Sequence, residues 1–248
     1  MNTLVVANWK MNPATSREAK ALFEGTKKIV DSVKGISVVV APPALYLREL
    51  KKMYKGKRIT FAAQHAHFED RGAHTGDISM AMMRDAGATY VLIGHGERRQ
   101  LGESNEDIRQ KINTALNLKL TPILCVGERE RIKEADHFHV VREQLRVALR
   151  DVVAPKLKQV IIMYEPLWAV GSGNPVSPRD MHEMSIFIKK MLVEQFGDTG
   201  LSMRILYGGS VNNTNAKAMI DEAGVQGFVV GGASIDYYKF KALLESLE

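Results

Sequence analysis

Short, continuously apolar runs alternate along this chain with longer stretches in which apolar residues recur every three to four positions. The runs cover residues 4–9, 36–41, 59–64, 90–94, 120–126, 160–164, 204–207 and 227–231, and they are rich in β-branched side chains, as in Val38-Val39-Val40 and Ile161-Ile162-Met163. Apolar character without strict alternation suits strands covered on both faces, the situation in a parallel sheet. The intervening periodic stretches, residues 16–33, 44–54, 79–85, 105–118, 135–153, 178–196, 213–222 and 237–247, predict helices. Their starts carry recognisable signals. Ser177-Pro178 followed by Asp180 places a cap and then a proline at the first helical position, and Ser104-Asn105-Glu106-Asp107 puts acceptors where helix N–H groups lack partners. Each predicted strand is followed by a helix, and no Gly/Ser/Pro-rich linker divides the series. An open doubly wound sheet uses the same alternation, but eight βα units within 248 residues favour closure. The expected architecture is α/β, a single (β/α)8 barrel spanning residues 1–248.

Composition narrows the function classes. One cysteine excludes a disulfide framework and multi-cysteine zinc or iron–sulfur patterns. No apolar run reaches the length of a membrane span, and the first ten residues lack a basic segment followed by a long apolar one, so no membrane association and a reducing, cytoplasmic setting are expected. The net charge of +6 comes from separated basic pairs without interleaved aromatics, which argues against nucleic acid and fits a small anionic substrate. The seven histidines contain no H-E-x-x-H spacing, and His137 and His139 fall on an expected exposed helical stretch, so no metal is expected.

In a closed barrel the chemistry lies just after the strand C-termini. The segments at those places are Asn8-Trp9-Lys10-Met11-Asn12, Gly94-His95-Gly96-Glu97-Arg98-Arg99, Tyr164-Glu165-Pro166-Leu167-Trp168-Ala169-Val170-Gly171, Tyr207-Gly208-Gly209-Ser210-Val211 and Gly231-Gly232-Ala233-Ser234. Read as isolated residues, Glu165 could be a general base or a loop cap, His95 a donor or a structural histidine, and Lys10 a cation for an anionic intermediate or a solvated turn residue. Two glycine pairs after the seventh and eighth strands offer N–H groups unhindered by Cβ, suited to a phosphate, and neither a nucleotide P-loop nor a dinucleotide fingerprint is present.

Taken in order, these five segments resemble the triosephosphate isomerase family over essentially the whole chain. The resemblance implies cofactor-independent interconversion of dihydroxyacetone phosphate and D-glyceraldehyde 3-phosphate through an enediolate, in glycolysis and gluconeogenesis. It implies Glu165 as base, neutral His95 as donor to the carbonyl oxygens, and Lys10 as electrostatic partner. Glu97 completes the catalytic set, either in proton transfer or in organising charge. Asn8, Lys10, Gly171, Ser210, Gly231 and Gly232 would bind substrate, and residues 166–176 would form a lid with its first hinge at Pro166-Leu167-Trp168. The stretch from His65 to Asp77, with Thr75 at its tip, would enter a neighbouring subunit, giving a homodimer, and Arg98 would pair with an acid there. Cys125 would be a buried structural thiol.

Several positions depart from the family pattern: His65 where Asn is usual, Asp77 as a shorter acid, Gly96 in place of Ser, one residue fewer between Arg99 and Glu103, and Asn174-Pro175-Val176 at the second hinge. Gly96 and the shortened segment after Arg99 motivate a weakened sugar-phosphate binding or scaffold protein as one alternative. A barrel aldolase or lyase with a Schiff-base lysine is the other.

Overall fold

The computed structural model describes residues 2–131, 136–171 and 175–248. Its strands are β1 (Thr3–Asn8), β2 (Ile36–Ala41), β3 (Ile59–Ala63), β4 (Tyr90–Ile93), β5 (Thr121–Val126), β6 (Ile161–Tyr164), β7 (Arg204–Tyr207) and β8 (Gly227–Val230). All pair in parallel with their sequence neighbours, and β1 also pairs with β8, so the sheet closes. The seam is shortest between β7 and β8, where only Tyr207 and Phe228 are in register. Helices α1 (Ser16–Ser32), α2 (Ala44–Met53), α3 (Met80–Ala86), α4 (Gly96–Gln100), α5 (Asn105–Asn117), α6 (Asp136–Ala148), α7 (Ala154–Leu157), α8 (Pro178–Phe196), α9 (Ala216–Asp221) and α10 (Tyr237–Glu245) connect the strands. The expected eight-unit barrel is therefore the observed one.

Strand parity sorts the core into two compartments. Leu4, Val6, Val39, Ala41, Ala62, Leu92, Ile123, Cys125, Met163, Leu206 and Val229 cluster inside the barrel. Their neighbours Val5, Ala7, Val38, Val40, Phe61, Val91, Ile93, Ile162, Ile205 and Phe228 pack outward against the helices. The capping signals read from sequence are realised. Thr15 with Glu18 and Ser104 with Asp107 form reciprocal capping boxes, and the Ser177 side chain accepts the Asp180 amide.

Two helical expectations need correction. The stretch 135–153 is α6 and then a separate α7; residue 135 lies outside the described residues. α6 stops at Ala148 in a turn where Arg150 N donates to the Val147 carbonyl at 3.3 Å, and Pro155 falls in the first turn of α7, where its missing N–H costs no helical hydrogen bond. The stretch 213–222 becomes helical only from Ala216, because Asn212 Oδ1 accepts the Thr214 amide at 2.8 Å, its hydroxyl at 2.6 Å and the Asn215 amide at 3.3 Å, holding a turn. A short helix directly after His95 is implied by the family resemblance, and α4, five residues long in the shortened 94–103 segment, is that helix.

One glycine sets the spacing between neighbouring strand ends. A Cβ on Gly127, directly after β5, would lie 2.0 Å from the carbonyl oxygen of Glu165 and 2.5 Å from its carbonyl carbon. Backbone cannot step aside as a side chain can. Gly127→Ala is therefore expected to destabilise the protein by about 3 kcal/mol and to lower turnover together with stability, read from urea unfolding midpoints beside initial rates.

Candidate active site

Extending the inward parity one step past each strand predicts what faces the barrel mouth. After β1 this gives Asn8 and Lys10, after β3 Gln64, and after β6 Glu165, all polar. After β7 and β8 it gives Gly208 and Gly231. Polar groups thus fill one side of the mouth, and missing side chains open the other. The result is a cleft of about 450 Å³ whose lining includes Asn8, Lys10, His95, Glu165, Gly171, Gly208–Ser210, Gly231 and Gly232. Every substrate-binding residue named from sequence lies on this cleft, as do the catalytic candidates His95, Glu165 and Lys10.

Lys10 sits in the left-handed region with φ 52°, a conformation that costs about 1 kcal/mol for a residue with a Cβ. Its neighbours hold it there. Its amide donates to Asn8 Oδ1 at 3.1 Å, and its carbonyl accepts from Gln64 Nε2 at 2.8 Å. Its ammonium then meets Glu97 Oε1 at 2.6 Å. Burial alone would raise the Glu97 carboxyl, but the hydrogen bond and charge of Lys10, with His95 beyond, hold it below the usual carboxylate range. Glu97 reaches the site through Lys10 and lies 3.8 Å from His95 Nδ1.

His95 follows Gly94, whose φ of 75° turns the chain at the end of β4. The imidazole is the N-cap of α4: Nδ1 accepts the Glu97 amide at 3.3 Å. Only an unprotonated Nδ1 can accept, so the proton of the neutral ring belongs on Nε2. Nε2 is 3.1 Å from Glu165 Oε1, and Glu165 Oε2 accepts the Gly96 amide at 2.8 Å. Glu165 is 3% exposed. Burial pushes its carboxyl above the ordinary range, against partial opposition from His95, the Gly96 N–H and Lys10. The Gly96 main-chain N–H thus holds the Glu165 carboxylate without help from a side chain.

On the open side, Ser210 Oγ donates to the Ala169 carbonyl at 2.9 Å, and Val176 N donates to Tyr207 Oη at 3.1 Å. The β7 end therefore touches both sides of the segment after Glu165. Asn174, named at the second hinge, lies outside the described residues. Trp168, at the first hinge, donates from Nε1 to Glu128 Oε1 at 2.8 Å, which anchors that end of the segment. Cys125 is fully buried at the end of β5, where burial raises its thiol, as a structural role requires.

Sequence reasoning missed three supports. Glu128 is 1% exposed and accepts both Tyr164 Oη and Trp168 Nε1. Arg99 binds the Gly94 carbonyl at 2.8 Å, Asn105 Oδ1 at 2.7 Å and the Cys125 carbonyl at 3.1 Å, tying the ends of β4 and β5 to α5. Gln64 reaches the carbonyls of Lys10 and Ala41. An acid just after an apolar strand is the same signal that identified Glu165, and it marks Glu128 too.

Away from the cleft, residues 69–77 are exposed. Among the described residues, His67, His74 and Asp77 bring ligand atoms within 4.8 Å of one another. Their imidazoles stack with centroids 4.1 Å apart at 29°, so the in-plane lone pairs do not converge. His67 Nδ1 also already accepts the Glu69 amide at 3.0 Å. The trio is a brace for this loop.

At the loop's base, His65 Nε2 lies 3.3 Å from Arg98 Nη2, beside the buried Lys111–Glu103 pair. Burial first, then Lys111 and Arg98, push the His65 imidazole down to about 4, against weaker opposition from Glu103 and Asp77. The fold thus favours the neutral ring. Its contribution is complete above pH 6.5 and is lost as the pH falls from there toward about 4. His65→Gln should remove that part of the acid lability, about 1 to 2 kcal/mol after solvent screening, in denaturant titrations at pH 4.5 and 7.5.

A closed parallel barrel with a carboxylate, an imidazole and an ammonium facing glycine-lined anion space defines a (β/α)8 enzyme acting on a small phosphorylated substrate. The sequence model of the family Triosephosphate isomerase matches residues 3–247. The triosephosphate isomerase of Endomicrobium trichonymphae is 38% identical over 246 residues, covering 98% of this chain and 97% of that one. That of Aquifex aeolicus is 38% identical over 248 residues, 99% and 100% of the two chains, and that of Moorella thermoacetica 37% over 243 residues, 97% of each. The chain belongs to the triosephosphate isomerase family.

Proposed function

We propose that Glu165, His95 and Lys10 carry out the isomerisation of this family on the cleft described above. The reaction interconverts dihydroxyacetone phosphate and D-glyceraldehyde 3-phosphate through an enediolate. The observation that carries the assignment is the contact of Glu165 Oε1 with His95 Nε2 at 3.1 Å, made beside Lys10 at the edge of the glycine-lined cavity.

In the resting arrangement the carboxylate occupies the His95 donor and the Gly96 amide. A substrate carbonyl oxygen competes for Nε2–H, which frees one carboxylate oxygen. Glu165 then takes the proton from C1 of dihydroxyacetone phosphate, the O1 hydroxyl proton passes to O2 by way of His95 Nε2, and Glu165 returns its proton to C2. The negative charge that develops on the oxygens faces Nε2–H and the Lys10 ammonium. The raised affinity of Glu165 for a proton makes it a competent base, and expulsion of water on binding increases that competence. Asn8 acts through Lys10, whose amide it holds. Glu97 organises charge: its carboxyl is committed to Lys10 and favours the ionised form. The phosphate takes the main-chain N–H groups beside Gly208, Gly209, Gly231 and Gly232, with Gly171 and Ser210 added when substrate binds.

The same reading includes a homodimer. Met11, Leu45, Met82 and Leu101 are large apolar residues 94%, 86%, 53% and 75% exposed. They belong to the segments after β1 to β4, consecutive neighbours around the barrel. The exposed loop 69–77 rises among them, and Arg98 Nε is buried without a hydrogen-bond partner within the chain. A second copy would cover this face and bring Thr75 toward the cleft. A cytoplasmic setting is proposed with it.

Coupled turnover of D-glyceraldehyde 3-phosphate is expected, and binding of a phosphorylated enediolate mimic without turnover would overturn the assignment. Borohydride is expected to trap no substrate–lysine adduct. In ultracentrifugation the active species is expected at twice 27.6 kDa, and a deletion of residues 67–72 is expected to be monomeric and poorly active. A fully active monomer would remove the dimer from the proposal.

A further inference from the structure

The pairing of β5 with β6 does not end with the strands. Glu165 N donates to the Val126 carbonyl at 2.8 Å, and Leu167 N to the Glu128 carbonyl at 2.9 Å. Side chains continue the series with Trp168 Nε1 on Glu128 Oε1 at 2.8 Å. Three residues beyond Glu128, the guanidinium carbon of Arg131 lies 5.1 Å from the centre of the Trp168 ring. Residues 126–131 therefore form a rail along which residues 165–168 are attached.

The guanidinium is the only cation that meets Glu128 among the described residues, with Nε 3.2 Å from Oε1. It also donates from Nη2 to Tyr164 Oη at 3.4 Å, and Tyr164 Oη in turn donates to Glu128 at 2.9 Å. A carboxylate 1% exposed that accepted only from neutral donors would be an uncompensated buried charge. Nη1 lies 3.9 Å from Asp180 Oδ2 in the first turn of α8, on the far side of the segment that follows Trp168. Arg131 thus touches β6, the turn after it and the next helix together.

Glu165 lies at the other end of this rail. Leu167 occupies the space above Gly96, where an added Cβ would be 2.6 Å from Leu167 Cδ2, and Gly96 is the residue whose amide binds Glu165. Trp168 follows Leu167 directly in the chain, and Leu167 packs on the residue whose amide holds the Glu165 carboxylate. We infer that Arg131 is a positioning residue for the base: by clasping Trp168 and Glu128, it holds residues 166–168 so that Leu167 stays over Gly96 and Glu165. The inference rests on Glu165 being the base.

The test compares Arg131→Met with Arg131→Lys in the full-length protein. Arg131→Met is expected to lower kcat/KM about 3- to 10-fold, with Arg131→Lys in between, because ammonium keeps the charge and loses the planar contact with the ring. Looser cover over Glu165 is expected to move the acid limb of kcat/KM toward the ordinary carboxylate range. The other groups facing Glu165 are His95, Lys10, Glu97, Arg99 and Cys125, and none of them contacts Arg131. Iodide quenching of Trp168, read in a Trp9→Phe background, should increase. In a Trp168→Phe background, adding Arg131→Met should move the acid limb no further. An unchanged acid limb and unchanged quenching in both Arg131 variants would overturn the inference. So would a rate loss that tracks thermal stability while the acid limb stays fixed. If Arg131→Met does not fold, Arg131→Lys decides by the same readouts. A shift in the wild-type acid limb on Glu165→Asp is the control that separates failure of this inference from failure of the base assignment.

Discussion

Glu165→Gln should lose about 10³-fold or more in kcat while keeping affinity for a phosphorylated enediolate mimic. The amide has nearly the shape of the carboxylate and can still accept the Gly96 N–H with its oxygen, so the cleft should keep its form. What it lacks is the capacity to take a proton. The wild-type enzyme should show the complementary signature in the pH dependence of kcat/KM. Burial raises the Glu165 carboxyl, so activity should fall with acid at a pH above the ordinary carboxylate range. Initial rates from pH 4.5 to 8 beside isothermal titration check both parts. Near-wild-type turnover in Glu165→Gln would remove Glu165 from the role of base.

Lys10→Met is expected to damage binding and turnover together. The ammonium faces a dianionic substrate before any chemistry occurs, and faces the enediolate once it forms, so both ground and transition states lose an opposite charge. A fall of about 10³-fold in kcat/KM, with affinity for the mimic weakened about 10-fold or more, is the expected pattern. Methionine retains most of the aliphatic stem that lies 3.3 Å from the Cβ position of Gly231, so the cavity wall should survive. Loss of turnover with unaltered affinity would confine Lys10 to the transition state.

The barrel was legible in the chain because its determinants are local and periodic. Eight apolar runs in register with eight helical stretches leave few other ways to bury both faces of each strand. The principal side chains of the cleft were legible for a related reason, since they follow strand ends directly and the parity of the strand aims them. The supports were not. Arg99, Gln64 and Arg131 are unremarkable polar residues in sequence, and their contacts join segments 26, 54 and 37 positions apart. Pairings of that kind depend on which strand ends the closed sheet brings together, information that no window of sequence contains. Glu128 is hidden although its strand-end position is visible, because the partner that shows its role, Trp168, lies 40 positions further on. Gly96 illustrates the limit from the other side: the missing hydroxyl is evident in sequence, while the hold of the Gly96 N–H on Glu165 depends on how that carboxylate lies.

The two glycines facing the open side of the mouth have an evolutionary consequence. Gly208 and Gly231 make room for the anion by carrying no side chain, and the ligands offered there are main-chain groups. Such a site cannot be retuned by small conservative steps, because the first step available, a methyl group, either strikes Met163 Sδ at 2.7 Å or crowds the stem of Lys10 at 3.3 Å. Side-chain sites drift through intermediate sizes and charges, whereas this one changes only if the barrel rim itself moves. Substitutions elsewhere on the surface can therefore accumulate without altering which anion fits. The barrier to acquiring a different head-group preference lies in the stiffness of a closed sheet rather than in the identity of any replaceable residue.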